Sequence, residues 1–170
     1  GPPFFAAMER ANVRALWAFP ALHRYLLRRM VFGRLLDEVV ERRIPLFVHR
    51  EAGGPNPQDT WQLVYDLLQE YPDLTLVLAA HGSWGEDRYF RPLLEGFSRF
   101  YLDVSRYELD RGLCDLVSKY GCERLLYGSD FPRTAMGGPL LMVRCAELDL
   151  EARRAIAGGN LRRLLKEVQL

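Results

Sequence analysis

The stretch Leu74-Thr-Leu-Val-Leu-Ala-Ala80 is a short apolar run that follows a Pro-Asp turn and ends directly at His81. Its length predicts a buried β-strand and is too short for an average helix. The same pattern, an apolar run closed by a polar residue or a loop, recurs along the chain. The other strands are predicted at residues 13–19, 44–48, 100–104 and 124–127.

Amphipathic segments separate these runs, with apolar residues at helical spacing. The sequence predicts helices over residues 30–43, 57–71, 88–97, 107–120, 138–148, 151–157 and 160–168. Asn160 follows two glycines and is predicted to be the N-cap of the last helix. Strands that alternate with helices of this size predict an α/β fold with one parallel sheet and right-handed crossovers.

Length and composition limit the architecture. The chain has 170 residues, of which 49% are hydrophobic and 26% charged, as in an ordinary globular domain. We therefore expect residues 1–170 to form a single domain. A complete eightfold β/α barrel takes about 250 residues, so this chain is too short to be one.

Charge and cysteine content favour a small-molecule partner in a reducing compartment. The 23 basic residues nearly balance the 22 acidic ones, which argues against a nucleic-acid partner. The arginines of residues 24–43 are read as solvated helix faces or as an anion-binding patch. No apolar stretch approaches the length of a membrane span, so no membrane partner is expected. Three cysteines without CxxC spacing make a disulfide framework unexpected and predict a cytoplasmic setting.

Polar residues follow the predicted strands where each strand ends. His49, His81, Ser105 and Asp130 hold these positions, and His23 follows the first run. Ligands of parallel α/β sheets bind at the carboxyl ends of the strands. Imidazole and carboxylate suit Zn²⁺, and also Mn²⁺ or Fe²⁺, so these residues are candidate metal ligands. The alternative is that the histidines are structural and that Asp130 caps its loop.

The sequence resembles the amidohydrolase-related group of the metal-dependent amidohydrolase superfamily, whose members have a (β/α)₈ TIM barrel. Five motifs carry the resemblance and together cover nearly the whole chain. They are Arg43-Ile-Pro-Leu-Phe-Val-His49, Tyr71-Pro-Asp-Leu-Thr-Leu-Val-Leu-Ala-Ala-His81-Gly82, Phe100-Tyr-Leu-Asp-Val-Ser105, Tyr127-Gly-Ser-Asp-Phe-Pro132 and Ile156-Ala-Gly-Gly-Asn-Leu-Arg-Arg-Leu-Leu165.

The resemblance implies a partial TIM barrel made of the family's strands four to eight with their helices. It implies that His49 and His81 bind a divalent metal, most simply zinc, or act in catalysis. Asp130 would bind the metal and handle the proton of the attacking water. The implied activity is hydrolysis of a C–N or C–O bond in a small polar or carboxylate substrate, or its decarboxylation. Arg50, Trp84 and Arg88 are candidate contacts to that substrate, with Ser105 and His23, or are plain surface residues.

The chain departs from the family at its first strand. The family's His-x-His pair, which completes the metal shell, has no counterpart in this sequence. We therefore expect weakened metal binding, or no metal in this truncated chain. We also expect inward side chains such as Phe47, Val77 and Leu126 to meet water, so that the chain self-associates or normally continues from an N-terminal segment. The alternative function is a catalytically inactive fragment or pseudoenzyme that serves as a binding or assembly module.

Overall fold

The structure of the chain is a computed structural model that describes residues 2–81 and 86–170. Its strands are β1 (Leu16–Ala18), β2 (Leu46–His49), β3 (Leu76–Ala79), β4 (Phe100–Asp103) and β5 (Leu125–Leu126). They form one sheet in chain order, and each neighbouring pair is parallel. The predicted α/β class and the parallel sheet are confirmed, with strands shorter than predicted at their ends.

Helices precede or follow each strand of the sheet. They are α1 (Pro2–Arg10), α2 (Pro20–His23), α3 (Arg29–Glu41), α4 (Pro57–Glu70), α5 (Asp87–Gly96), α6 (Gly112–Tyr120), α7 (Gly137–Cys145), α8 (Leu150–Arg154) and α9 (Asn160–Glu167). A π-helical turn, Ala155–Gly159, joins α8 to α9. Within residues 2–81 and 86–170, no helix is both long enough and apolar enough to cross a membrane.

Helix α4 shows how the local sequence determines where a helix begins and which of its faces is buried. The Asn56 side chain accepts a hydrogen bond from the backbone N–H of Gln58 at 3.2 Å, which satisfies a donor that the first turn leaves free. Trp61, Val64 and Leu68 then recur at helical spacing and are buried in the core. The helix predicted over residues 57–71 is therefore found almost unchanged.

The sequence analysis missed one helix and placed the start of another too early. Helix α1, for which no element was predicted, precedes β1, and its Phe5 and Met8 are buried in the main core. The helix predicted from residue 107 begins only at Gly112. A Cβ at residue 112 would lie 2.7 Å from Cε1 of Tyr107, so the chain passes close to that aromatic ring before the helix starts.

The two faces of the sheet pack against different helices. Leu46, Val48 and Leu76 point into the main core, which the surrounding helices complete. The opposite face, called the inner face here, carries Phe47, Val77, Tyr101 and Leu126. On this face Leu161 and Leu164 of α9 pack against the strands. Burying a leucine such as Leu164 contributes about 1.5–3 kcal/mol.

Because α9 covers much of the inner face, the prediction that its apolar side chains meet water was partly wrong. Val77 is 0% exposed and Leu126 only 3%, so both were wrongly expected to meet water. The inner face is open toward β1, where Trp17 is 50% exposed and stacks on Phe47 with ring centroids 4.9 Å apart.

Asn160 attaches α9 to the sheet and does not act as an N-cap. Its backbone is helical, and it is the first residue of α9. Its side-chain Nδ2 donates hydrogen bonds to the carbonyl oxygens of Cys122, at 2.7 Å, and of Leu125, at 2.9 Å. The predicted N-cap was wrong because the preceding π-helical turn already continues into the helix, which leaves the side chain free to bind the start of β5.

Candidate active site

The carboxyl ends of the strands bring four polar residues to one edge of the sheet. His49 is the last residue of β2 and Asp103 the last residue of β4, while His81 and Asp130 lie in the loops after β3 and β5. Since all strands are parallel, these ends share one edge, where ligands of α/β sheets bind. The sequence predicted three of the four and missed Asp103.

His49 lies among charged groups. Arg133 Nη1 is 3.4 Å from its Nε2, and Arg133 also donates a hydrogen bond to Glu51 Oε2 at 3.0 Å. Burial and the charge of Arg133 hold the pKa of His49 below its ordinary value, although Glu51 and Asp130 act in the opposite direction. The imidazole is therefore neutral at pH 7.

Hydrogen-bond donors face both ring nitrogens of His49. The backbone N–H of Glu51 donates to His49 Nδ1 at 3.3 Å, and Nη1 of Arg133 lies 3.4 Å from Nε2. A neutral imidazole has one acceptor nitrogen, so it can accept from only one of these two donors at a time.

His81 is fully buried beside a carboxylate and two aromatic rings. Its Nδ1 is 3.9 Å from Glu86 Oε2, and its ring centroid is 5.2 Å from that of Phe90 and 5.8 Å from that of Tyr107. Glu86 in turn lies 3.8 Å from Arg50 Nη2. The rings fix the orientation of the imidazole, and the carboxylate supplies an opposite charge when the imidazole takes up a proton.

Tyr107 is itself held in place by a charged network. Its hydroxyl donates to Asp87 Oδ2 at 3.1 Å, and the same carboxylate oxygen accepts from Arg91 Nε at 2.8 Å. Burial and the charge of Asp87 raise the pKa of Tyr107, which therefore stays a neutral hydrogen-bond donor. This network positions the tyrosine ring against His81.

Asp103 is a partly buried carboxyl group that the sequence reasoning missed. Its Oδ1 accepts the backbone N–H of Ser105 at 2.7 Å. Burial raises the pKa of Asp103, the charge of Asp130 adds to this, and the bonds from Ser105 oppose it. The available signal was strand alternation, because Asp103 follows Tyr101 on the inner face at the end of a buried strand.

Asp130 is nearly buried and lies in an unusual backbone conformation. Its φ is 52°, and Ala80, just before His81, has a φ of 53°. Residues other than glycine in this region cost about 1–3 kcal/mol, and such strain is concentrated at functional sites. Arg106 Nη1 lies 3.7 Å from Asp130 Oδ2, a contact that the sequence reasoning also missed.

The remaining predicted contacts are dispersed around this edge and stay predictions. Ser105 is buried and supports Asp103, and Arg50 faces Glu86. Arg88 is exposed on α5, and His23 is exposed at the end of α2. Trp84 lies outside the described residues.

The described residues do not by themselves fit a complete metal site. Among residues 2–81 and 86–170, no three His, Cys, Asp or Glu side chains are close enough together to hold a metal ion. His49 and Asp130 are ligand types that suit zinc, but His49 presents Nε2 to the guanidinium of Arg133. A complete shell would need other ligands or a rearrangement of Arg133.

A cavity of about 630 Å³ lies next to this edge, between α7 and the segment that joins β4 to α6. Apolar side chains such as Leu113 and Met142 form much of its wall, and Ser105 lies at its border. Among the described residues, its lining includes neither the two strand-end histidines nor Asp130. The cavity is therefore a neighbour of the candidate site and not the site itself.

Comparison with known proteins identifies the family. Residues 6–166 match the profile of the amidohydrolase family (Amidohydro_2), and the chain belongs to this family. No curated protein sequence matches the chain significantly.

Solved structures show the same fold at low sequence identity. An uncharacterised TIM-barrel protein from Bordetella bronchiseptica has a TM-score of 0.75 and 21% identity over 96% of this chain and 60% of its own. A 4-oxalomesaconate hydratase from Rhodopseudomonas palustris has a TM-score of 0.66 and 18% identity, over 98% of this chain and 59% of its own. A dihydroxybenzoic acid decarboxylase from Polaromonas, solved with bound manganese, has a TM-score of 0.61 and 18% identity, over 79% of this chain and 53% of its own.

These coverages define the architecture of the chain. It spans about 60% of the length of the Bordetella protein, which is a TIM barrel. The five-stranded sheet is therefore part of such a barrel, as the sequence predicted.

Proposed function

We propose that this chain carries the catalytic edge of a metal-dependent enzyme of the amidohydrolase family. The enzyme would hydrolyse a C–N or C–O bond of a small polar or carboxylate substrate, or decarboxylate that substrate. The observation that carries the proposal is that His49, His81 and Asp130 all lie at or just after the carboxyl ends of parallel strands. The decarboxylase and hydratase activities of the fold relatives support it at the level of reaction class.

His81 and Asp130 have the surroundings of proton-transfer groups. His81 lies against the Glu86 carboxylate and is held by two aromatic rings, so its imidazole can take and return a proton without changing orientation. Asp130 is a nearly buried carboxyl group at the strand ends, and its Oδ2 lies 3.7 Å from Nη1 of Arg106. In this proposal Asp130 is the general base and His81 protonates the product.

The metal of this proposal is divalent, with zinc favoured and manganese or iron as alternatives. His49 and Asp130 would contribute ligands, and His81 would bind the ion or lie beside it. Because the described residues do not complete a shell, the other ligands would come from outside them. Such an ion would supply Lewis acidity at the strand ends.

The location and the partners that we propose rest on the free cysteines and on the net charge. Cys114, Cys122 and Cys145 are free thiols, which supports a reducing, cytoplasmic location. The near-zero net charge supports a small-molecule substrate and not a nucleic acid. We also propose that the chain self-associates, or joins a further segment, through the open side of its sheet at Trp17.

A catalytically inactive binding or assembly module is the second candidate. The exposed Trp17, stacked on Phe47, favours it, since an uncovered aromatic pair at a sheet edge is a surface for association. Metal content and molar mass in solution distinguish the two candidates. A stable oligomer that binds neither zinc nor manganese would favour the module.

Turnover of a substrate panel tests the enzyme. Aromatic carboxylates and small amides or esters are assayed with zinc or manganese present, using wild type, His49→Ala and Asp130→Asn. Asp73→Asn is the matched control, because Asp73 is exposed in the turn before β3. We expect both site variants to lose at least about 100-fold in kcat. Equal rates in wild type and variants would overturn the proposal.

A further inference from the structure

Arg106 is a cation at the candidate site with no hydrogen bond to its buried Nε from residues 2–81 and 86–170. It lies in the segment that joins β4 to α6, with its side chain 30% exposed. Its Nη1 is 3.7 Å from Asp130 Oδ2, and its Nε is 3.6 Å from Glu108 Oε1. Both distances exceed a hydrogen bond, and Nε is buried without a hydrogen-bond partner in the described part of the chain.

The other arginines of this edge differ from Arg106 in their contacts. Arg133 donates a hydrogen bond to Glu51 at 3.0 Å and is 58% exposed. Arg50 faces Glu86, on the side of His81. Arg106 alone of these three lies within 4 Å of Asp130 among the described residues. Its guanidinium is therefore the cation placed to meet a ligand that approaches this carboxylate.

An anionic substrate needs such a cation. Asp103 and Asp130 place two acidic groups at this edge, so a carboxylate brought there would meet repulsion without a balancing cation. A guanidinium matches a carboxylate with two parallel N–H···O bonds, which a lysine cannot reproduce. The ion pairs of Arg106 with Glu108 and Asp130 are longer than hydrogen bonds, and its side chain is 30% exposed, so its terminal Nη groups can meet a ligand.

We propose that Arg106 binds a carboxylate group of the substrate and thereby determines the specificity of the site for carboxylic acids. This inference rests on the proposed function, since it places the substrate over Asp130. It narrows the substrate from a small polar molecule to one that carries a carboxylate within reach of the loop after β4. Arg106 acts here as a binding residue and takes no part in proton transfer.

Binding of benzoate, compared with neutral benzamide of nearly the same shape, tests the role of Arg106. Affinities are measured by NMR titration for wild type, Arg106→Gln and Arg106→Lys, with thermal unfolding as the check of the fold. Arg111→Gln is the matched control, because Arg111 belongs to the same segment but pairs with Glu147 at the surface. We expect Arg106→Gln to weaken benzoate binding about 10- to 100-fold, as for loss of a charged hydrogen-bonded pair.

The expected pattern depends on ligand charge, which a purely structural role of Arg106 would not produce. Benzamide binding should be unchanged in Arg106→Gln, Arg106→Lys should retain part of the benzoate affinity, and Arg111→Gln should match wild type. The proposal is overturned if wild type does not prefer benzoate to benzamide, or if Arg106→Gln binds benzoate as tightly as wild type.

Binding and turnover separate this inference from the proposed function. Benzoate titration needs no catalysis, so an Arg106-dependent preference for benzoate can be found even if His49→Ala and Asp130→Asn leave turnover unchanged. In that case only the enzymatic proposal fails. If a carboxylate substrate is turned over and Arg106→Gln leaves its KM unchanged, only the inference on Arg106 fails.

Discussion

The Asp103 carboxylate occupies the space that a side chain at Gly128 would need. A Cβ built at residue 128 would lie 2.6 Å from Asp103 Oδ1 and 2.5 Å from its Cγ. These are closer than any ordinary contact of a Cβ atom. The absence of a side chain at Gly128 thus allows the Asp103 carboxyl group to lie between β4 and the loop that carries Asp130.

Gly128→Ala should therefore displace Asp103 and destabilise the fold. We expect the free energy of unfolding to fall by about 1–3 kcal/mol, the usual cost of overpacking, in urea denaturation. Gly138→Ala is the control, since a Cβ there meets nothing within 4 Å and the residue lies in α7. The control should be neutral or slightly stabilising, and an equal loss in both variants would contradict the account.

Removal of the Asn160 side chain should loosen α9 from β5. Asn160→Ala leaves the buried Leu125 carbonyl without its side-chain donor, at a cost of about 1–3 kcal/mol. Asn160→Asp keeps the size of the side chain but loses both N–H donors, so it should be at least as unstable. If Asn160→Asp is as stable as wild type in thermal unfolding, the two hydrogen bonds are not what holds this helix.

His49 should make the chain less stable as the pH falls below neutrality. Its pKa is lower in the folded state than the ordinary 6.5, so between about pH 7 and 5 the unfolded chain binds a proton that the folded chain does not. The free energy of unfolding must then decrease as the pH falls through 6.5. His49→Gln should flatten this part of the curve measured by urea denaturation. Parallel curves for wild type and variant would contradict the lowered pKa.

Self-association should depend on the open side of the inner face. Trp17→Thr removes the exposed half of the aromatic pair with Phe47, so we expect a smaller share of oligomers in sedimentation velocity. Leu150→Thr is the control, because Leu150 is 57% exposed on α8, away from the sheet. A wild type that is already monomeric, or an equal effect of both changes, would show that this surface does not drive association.

The order and type of the elements could be predicted because their local patterns agree with the fold. Residues 44–48 and 57–71 have the periods of a strand and a helix, and the structure follows both. Asn160 misled the prediction because two glycines before an asparagine resemble a helix start, whereas here the backbone is already helical at Gly159 and Asn160, after a kink at Gly158. The burial of Val77 could not be predicted, since it depends on Leu164, far away in the sequence.

The sequence could predict only those site residues that directly follow a predicted strand. Three residues, His49, His81 and Asp130, follow apolar runs, and each run predicts a strand whose carboxyl end places the residue at the edge of the sheet. Asp103 and Arg106 were missed because their roles arise from partners on another loop, Gly128 and Asp130. Such pairings appear only when the three-dimensional arrangement is known.

The central claim is that the carboxyl edge of the sheet is an active site in which His81 transfers protons. The most direct test is the turnover of a carboxylate substrate by wild type and by His81→Asn, with folding of both checked by circular dichroism. The account predicts that His81→Asn folds normally and loses about 100-fold or more in kcat, as expected for removal of a general acid–base group. An unchanged kcat in a folded His81→Asn variant would contradict it.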